Sequence, residues 1–170
     1  MSALILVVAL VAIQRIAELV VANRNTRALL AQGGREEGRG QYPVIVALHV
    51  LWLAALVIAV PVATPADWYW LGLFVVLQAM RVWVLLSLGR FWTTRIITLP
   101  GAPLVRRGPY RLLRHPNYLV VALEIPVLPL VFGAWALALG FGLANLALLI
   151  WRISLEDRAL APRRGTVSAM

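Results

Sequence analysis

The chain has 170 residues, of which 62% are hydrophobic, with a mean hydropathy of +0.85 and no cysteine. That much apolar surface excludes a water-soluble domain of this size, and the missing thiols exclude disulfides, thiolate nucleophiles and cysteine-ligated metals. The formal charge of +9 comes entirely from arginine, and the arginines lie between apolar runs, where they fit orientation in a bilayer and contact with anionic lipid headgroups better than nucleic acid.

Four or five spans of about 20 residues consume the whole length, so the chain reads as a single integral membrane domain over residues 1–170, and any active site lies in or beside the bundle. The first apolar run, residues 4–22, has neither a basic n-region nor a small-residue cleavage site and reads as a span, not a removable signal peptide. Residues 23–41, with four arginines, two glutamates and Gly33, Gly34, Gly38 and Gly40, read as a loop with room for a short interfacial helix. A second span is predicted over 43–63. Pro61, Thr64, Pro65 and Asp67 then make a tight turn, and a third span runs from the belt-like Trp68-Tyr69-Trp70 to about Leu88.

Residues 89–117 turn basic and irregular, with Trp92, Pro100, Pro103, Pro109, Pro116 and six arginines, too many for a further span. Residues 118–132 and 134–151 are two apolar runs joined at Gly133. They read as a helical hairpin whose first arm is short, carries Glu124, Pro126 and Pro129, and is kinked at Pro126. Segments 23–41 and 89–117 and the tail from Arg152 hold fourteen of the sixteen arginines, and the two opposite connections hold none. The positive-inside rule then gives an all-α polytopic helical bundle of about five transmembrane helices, N-terminus out and C-terminus in. No internal repeat points to an inverted-repeat transporter.

Charged residues within spans are costly, so those present need a reason. Arg15 and Glu18 are three apart on one helix face and can pair. Arg81 and Glu124 each lie roughly 10 Å inside their spans at 1.5 Å per residue. Two readings stand: Arg15–Glu18 and Arg81–Glu124 are two ion pairs that lock helix packing, or the four line an inward-opening polar cavity that binds substrate. Gln14, Gln78 and Asn145 fit either, since polar residues also join helices in lipid. His49 and His115 are the only imidazoles and have no metal-ligand spacing, so no metal site is expected.

In Arg114-His115-Pro116-Asn117-Tyr118 the proline suits a first helical turn, with His115 at the cap and a positive dipole end able to hold a carboxylate. The Tyr118 ring can face a sulfonium or an ammonium, or the cluster can be a plain interfacial anchor. Arg152 and Glu156, four apart where the last helix leaves the bilayer, are either an ordinary surface pair or part of the same site.

Taken together, Gly108-Pro109-Tyr110, Arg114-His115-Pro116-Asn117-Tyr118, an apolar hairpin and Arg152-Ile153-Ser154-Leu155-Glu156-Asp157-Arg158-Ala159-Leu160 resemble the isoprenylcysteine carboxyl methyltransferase-like membrane methyltransferases. Arg15, Glu18 and Leu19, with Arg24-Asn25, Tyr42-Pro43, Leu48-His49, Trp52 and the run Trp92 to Ile97 before Leu99-Pro100-Gly101, resemble a short bacterial branch that methylates alkylpyrone- or alkylresorcinol-like lipids. The resemblance implies S-adenosylmethionine as cofactor, held in the half spanning 89–160 by Val105, Gly108, Tyr110, His115, Asn117 and Tyr118. It implies Arg152 and Glu156 as the catalytic pair, and a lipophilic acceptor entering from the bilayer of a bacterial cytoplasmic membrane with the site facing the cytosol. Carboxyl methylation of an isoprenylcysteine and methylation of a phospholipid amine are the alternative activities, and a non-catalytic transport or assembly protein is the alternative class. Two departures from the family pattern are Asp157 in place of a glutamate and a short Pro162-Arg163-Arg164-Gly165 end in place of a tyrosine-rich tail.

Overall fold

The computed structural model describes residues 2–102 and 105–165. Five α-helices carry the fold: α1 Ala3–Ala31, α2 Gln41–Ala59, α3 Trp68–Leu88, α4 Pro116–Leu130 and α5 Trp135–Gly165. Four of them, α1, α2, α3 and α5, are long and apolar enough to cross a membrane. Their outward faces carry exposed Leu10, Ile13, Ile58, Leu86, Leu139 and Ile150, as surfaces that meet lipid should.

α1 is longer than the apolar run that predicts it. Polar residues end the hydrophobic stretch near Ala22 but do not end the helix, because Asn23 to Ala31 contains neither glycine nor proline, and α1 continues to Ala31. It stops where Gly33, at φ +88°, reverses the chain, with Gly33 N–H donating to the Leu30 carbonyl at 3.0 Å and Gly34 N–H to that of Leu29 at 2.9 Å. Asn25 Nδ2 donates to the carbonyls of Gly89 and Trp92, at 3.2 and 2.8 Å, fastening this extension to the end of α3.

The two basic segments, predicted as irregular, pair with each other. β1 Arg35–Glu37 and β2 Ile96–Thr98 form an antiparallel ribbon in which Glu36 faces Ile97. Three residues a side give no legible alternation in sequence, and the pairing joins segments 59 residues apart through Glu36 and Arg95, whose carboxylate and guanidinium lie 3.0 Å apart.

α4 is the central helix. At 15 residues it rises about 22 Å, short of the ~30 Å hydrocarbon thickness, yet ten of its residues are buried and it packs between α3 and α5. Its length is completed by a neighbour: the backbone N–H of Asp67, in the α2–α3 turn, donates to the Val131 carbonyl at 2.8 Å. α4 continues through Pro126 and Pro129. Pro129 has no N–H for the carbonyl of Ile125 four residues back, and the indole N–H of Trp52 on α2 donates there instead, at 3.0 Å. Gly133, at φ +67°, makes the turn into α5.

Candidate active site

All five helices line one cavity of about 360 Å³. Its surface is mostly apolar, and the polar groups gather at two levels. Residues that were scattered over the sequence meet here: Arg15 and Glu18 from α1, His49 from α2, Arg81 from α3, Asn117 and Tyr118 from α4, and Asn145 and Arg152 from α5.

At the deeper level the four buried charges form a single closed network, where the sequence allowed two separate pairs. Arg81 clamps Glu18 in a fork, with Nε and Nη2 each donating at 2.6 Å, and Arg81 Nη1 reaches Glu124 at 3.0 Å. Arg15 completes the circuit through Glu18 at 3.0 Å and Glu124 at 2.8 Å. Two positive and two negative charges alternate, which is the arrangement that lets desolvated ions offset one another. Gln14 Nε2 adds bonds to Glu18 at 2.9 Å and to Gln78 at 3.2 Å. Arg15, Glu18 and Arg81 face the cavity, and Glu124, fully buried, ties it to α4 from behind.

Nearer the start of α4, the Tyr118 hydroxyl is the meeting point. Arg152 Nε donates to it at 2.9 Å, and the hydroxyl itself donates to Glu156. Arg152 and Glu156 are thus joined through Tyr118. Arg152 Nη2 also donates to the Thr94 carbonyl at 2.9 Å, so the segment preceding β2 fixes the guanidinium from a third side. Tyr118 is 8% exposed and Arg152 9%, so this contact is largely desolvated.

Behind Tyr118 stands His115, whose ring stacks on it at 5.4 Å between centroids and whose Nε2 lies 3.3 Å from Asp157. The aspartate that departs from the family pattern therefore reaches the histidine of the motif. Tyr110 lies close enough to Glu156 to feel its charge, and burial together with that carboxylate pushes its phenol above the usual value. Gly108, at φ +56°, packs against α3. A Cβ there would sit 2.1 Å from Ser87 Oγ and 3.2 Å from Trp83 Nε1. Val105 is half-buried in the segment leading to it. Of the residues implied as cofactor contacts, Asn117 and Tyr118 line the cavity, while Val105, Gly108, Tyr110 and His115 are not among its lining residues.

From the sequence, Tyr42, Thr93, Thr94 and Arg95 have no site role beyond the family resemblance they carry. Tyr42 lies on the cavity wall with the Arg95 guanidinium 4.5 Å above its ring, and Arg95 is held by Glu36 of the ribbon. Thr93 and Thr94 complete the edge. The available signal was the polar run Trp92 to Arg95, whose partner in the other basic segment only the fold supplies.

The sequence is similar to known proteins. The model of the Isoprenylcysteine carboxyl methyltransferase (ICMT) family matches residues 70–162, the stretch from α3 to the end of α5 that carries Tyr118, Arg152 and Glu156. A protein of Bacillus subtilis (strain 168), named Uncharacterized protein YpbQ, is 41% identical over 160 residues, spanning 91% of this chain and 95% of that protein. No solved structure matches the chain.

Proposed function

The chain belongs to the isoprenylcysteine carboxyl methyltransferase family of membrane methyltransferases, and from that membership we propose that it moves a methyl group from S-adenosylmethionine to an oxygen of an amphipathic lipid of the alkylpyrone or alkylresorcinol type. The observation that carries this reading is the Tyr118 hydroxyl, at once acceptor from Arg152 and donor to Glu156, on the wall of a largely apolar cavity.

The residues around α4's start fit the cofactor's chemistry. No side chain caps this helix, which leaves its positive end for a carboxylate. Asn117 Oδ1 and Thr94 Oγ1, on cavity-lining residues, are buried without a hydrogen-bond partner and match hydroxyl or amine donors. The phenols of Tyr110 and Tyr118 and the Glu156 carboxylate match a cation. Tyr110, Asn117, Tyr118, His115, Gly108 and Val105 would hold it. When bound, S-adenosylmethionine supplies an electrophilic methyl on a sulfonium centre.

Arg152 holds the acceptor oxygen in place and favours its anionic form. Where the acceptor is a hydroxyl, its proton passes to the Tyr118 oxygen as Tyr118 gives its own to Glu156, so Glu156 is the base and Tyr118 the relay. The apolar wall admits the lipid tail and excludes water, and alignment of reactants in such a site can be worth ~7–11 kcal/mol. The arginine-rich segments face the cytosol and bind anionic headgroups, which puts the cofactor's entrance on the inner side of a bacterial cytoplasmic membrane.

The test is purified full-length protein in detergent with methyl-labelled S-adenosylmethionine, offered an alkylpyrone, an alkylresorcinol and a prenylcysteine. Labelled ether from either of the first two is expected. Absence of cofactor binding together with absence of transfer to any lipid would overturn the reading.

A further inference from the structure

Among the cavity groups that the mechanism leaves unused is His49, on α2, beside the ion network. Its Nδ1 lies 2.8 Å from the Ile45 carbonyl oxygen one turn earlier. A carbonyl can only accept, so Nδ1 carries the ring proton and Nε2 of the neutral imidazole presents a lone pair. The edge-on contact with Trp52, at 6.2 Å and 82°, holds the ring in that orientation. Among the described residues no donor meets Nε2, and it is not among the sealed buried atoms, whereas the arginines nearby spend their fork donors on Glu18 and Glu124.

An unmet acceptor on a largely apolar wall calls for a donor on the ligand. A hydroxyl can give that hydrogen bond, whereas an ether, a ketone or a carboxylate only takes one. We infer that His49 Nε2 forms a second polar subsite in the cavity, deeper than the Tyr118–Arg152 contact, which takes a hydrogen bond from a free hydroxyl of the acceptor headgroup other than the reacting oxygen. The acceptor class is then a lipid whose small headgroup bears two oxygen functions, one of them a hydroxyl that is not methylated. The inference rests on the methyl-transfer reading for the identity of the first subsite, but its test does not require turnover.

The test titrates the full-length protein in detergent micelles with an alkylresorcinol and with an alkylphenol of the same chain length, following the change in tryptophan fluorescence, to which the cavity-lining Trp92 contributes. The wild type is expected to bind the dihydroxy lipid about 10-fold more tightly, and His49→Phe to reduce that ratio to about 2-fold or less. Micelle partitioning is common to both proteins and cancels in the comparison. Equal affinities in the wild type, or a ratio that persists in His49→Phe, would overturn the subsite. If the phenylalanine variant loses its cooperative unfolding transition, His49→Leu carries the same comparison. Methyl transfer without a His49-dependent ratio removes the subsite and leaves the enzyme reading; the ratio without any transfer does the reverse.

Discussion

Tyr118 and Arg152 meet through a hydroxyl and a guanidinium Nε at 2.9 Å, from two helices whose positions are 34 residues apart in the chain. The same hydroxyl donates to Glu156, so one phenol joins the arginine and the carboxylate that the sequence offered as a direct pair one helical turn apart.

Removing the arginine leaves Tyr118 and Glu156 without their positive partner. Arg152→Ala is expected to lower kcat by about 10²–10³-fold, the range for loss of one preorganised group at a developing charge, while cofactor binding and the unfolding temperature change little. Tyr118→Phe keeps the ring that stacks on His115 and removes the hydroxyl alone; it should lower kcat with a small change in KM for S-adenosylmethionine. Labelled-methyl kinetics on the two variants decide this, and full activity in Tyr118→Phe would exclude the relay.

The ion network predicts non-additivity. Glu124→Gln leaves two buried arginines sharing Glu18 and should cost about 3–5 kcal/mol, seen as a lowered unfolding temperature in detergent. Adding Arg15→Met restores charge balance and leaves the forked Arg81–Glu18 contact intact, so the double variant should be more stable than the sum of the single effects. Simple additivity would mean the four groups act as independent pairs.

Trp52 and Pro129 should be coupled although they need not touch. Trp52→Phe strands the Ile125 carbonyl and is expected to cost about 1–3 kcal/mol beyond the packing change. Pro129→Ala returns a backbone N–H to that carbonyl, so the penalty for losing the indole should shrink in the Pro129→Ala background. A double-mutant cycle on unfolding temperature or denaturant midpoint measures the difference.

Tyr110 gives a pH effect of definite sign. Its phenol is raised above the ordinary value by burial first and by Glu156 second, so the neutral form is favoured in the folded state. That contribution is fully present below the unfolded value of about 10 and is lost as pH rises beyond it toward the folded value. Tyr110→Phe, which cannot ionise, should lose less stability than the wild type between pH 9 and 11. Parallel curves for the two proteins would refute the assignment.

Gly108 is held by geometry. Gly108→Ala puts a methyl 2.1 Å from Ser87 Oγ in a left-handed backbone conformation, and should destabilise the packing of the 108–111 turn on α3. Ser87→Ala relieves the oxygen contact but leaves the 3.2 Å approach to Trp83, so rescue by unfolding temperature should be partial.

Several features were legible in one dimension because their physics is local. Hydropathy and turn residues marked the helices; Trp68 and Leu88 bound α3 as expected. The end of α1 was not legible, since hydropathy reports where lipid stops and the helix runs on into polar residues up to Gly33. The ribbon was not legible either, because its two short strands hold each other through Glu36 and Arg95 rather than through a pattern within either strand.

By itself the sequence determined that this chain lives in a membrane, that fourteen of its sixteen arginines lie outside the apolar runs, and that the Arg-His-Pro-Asn-Tyr and Arg-Ile-Ser-Leu-Glu-Asp elements open and close one hairpin. Those properties follow from composition and from spacing along single helices. Which charges are partners was decided only in three dimensions. Glu18 and Glu124 each share two arginines from different helices, and Tyr118 stands between Arg152 and Glu156. Burial makes an unmatched charge so costly that the helices must pack with donors and acceptors in register, and register between helices is written in no one segment.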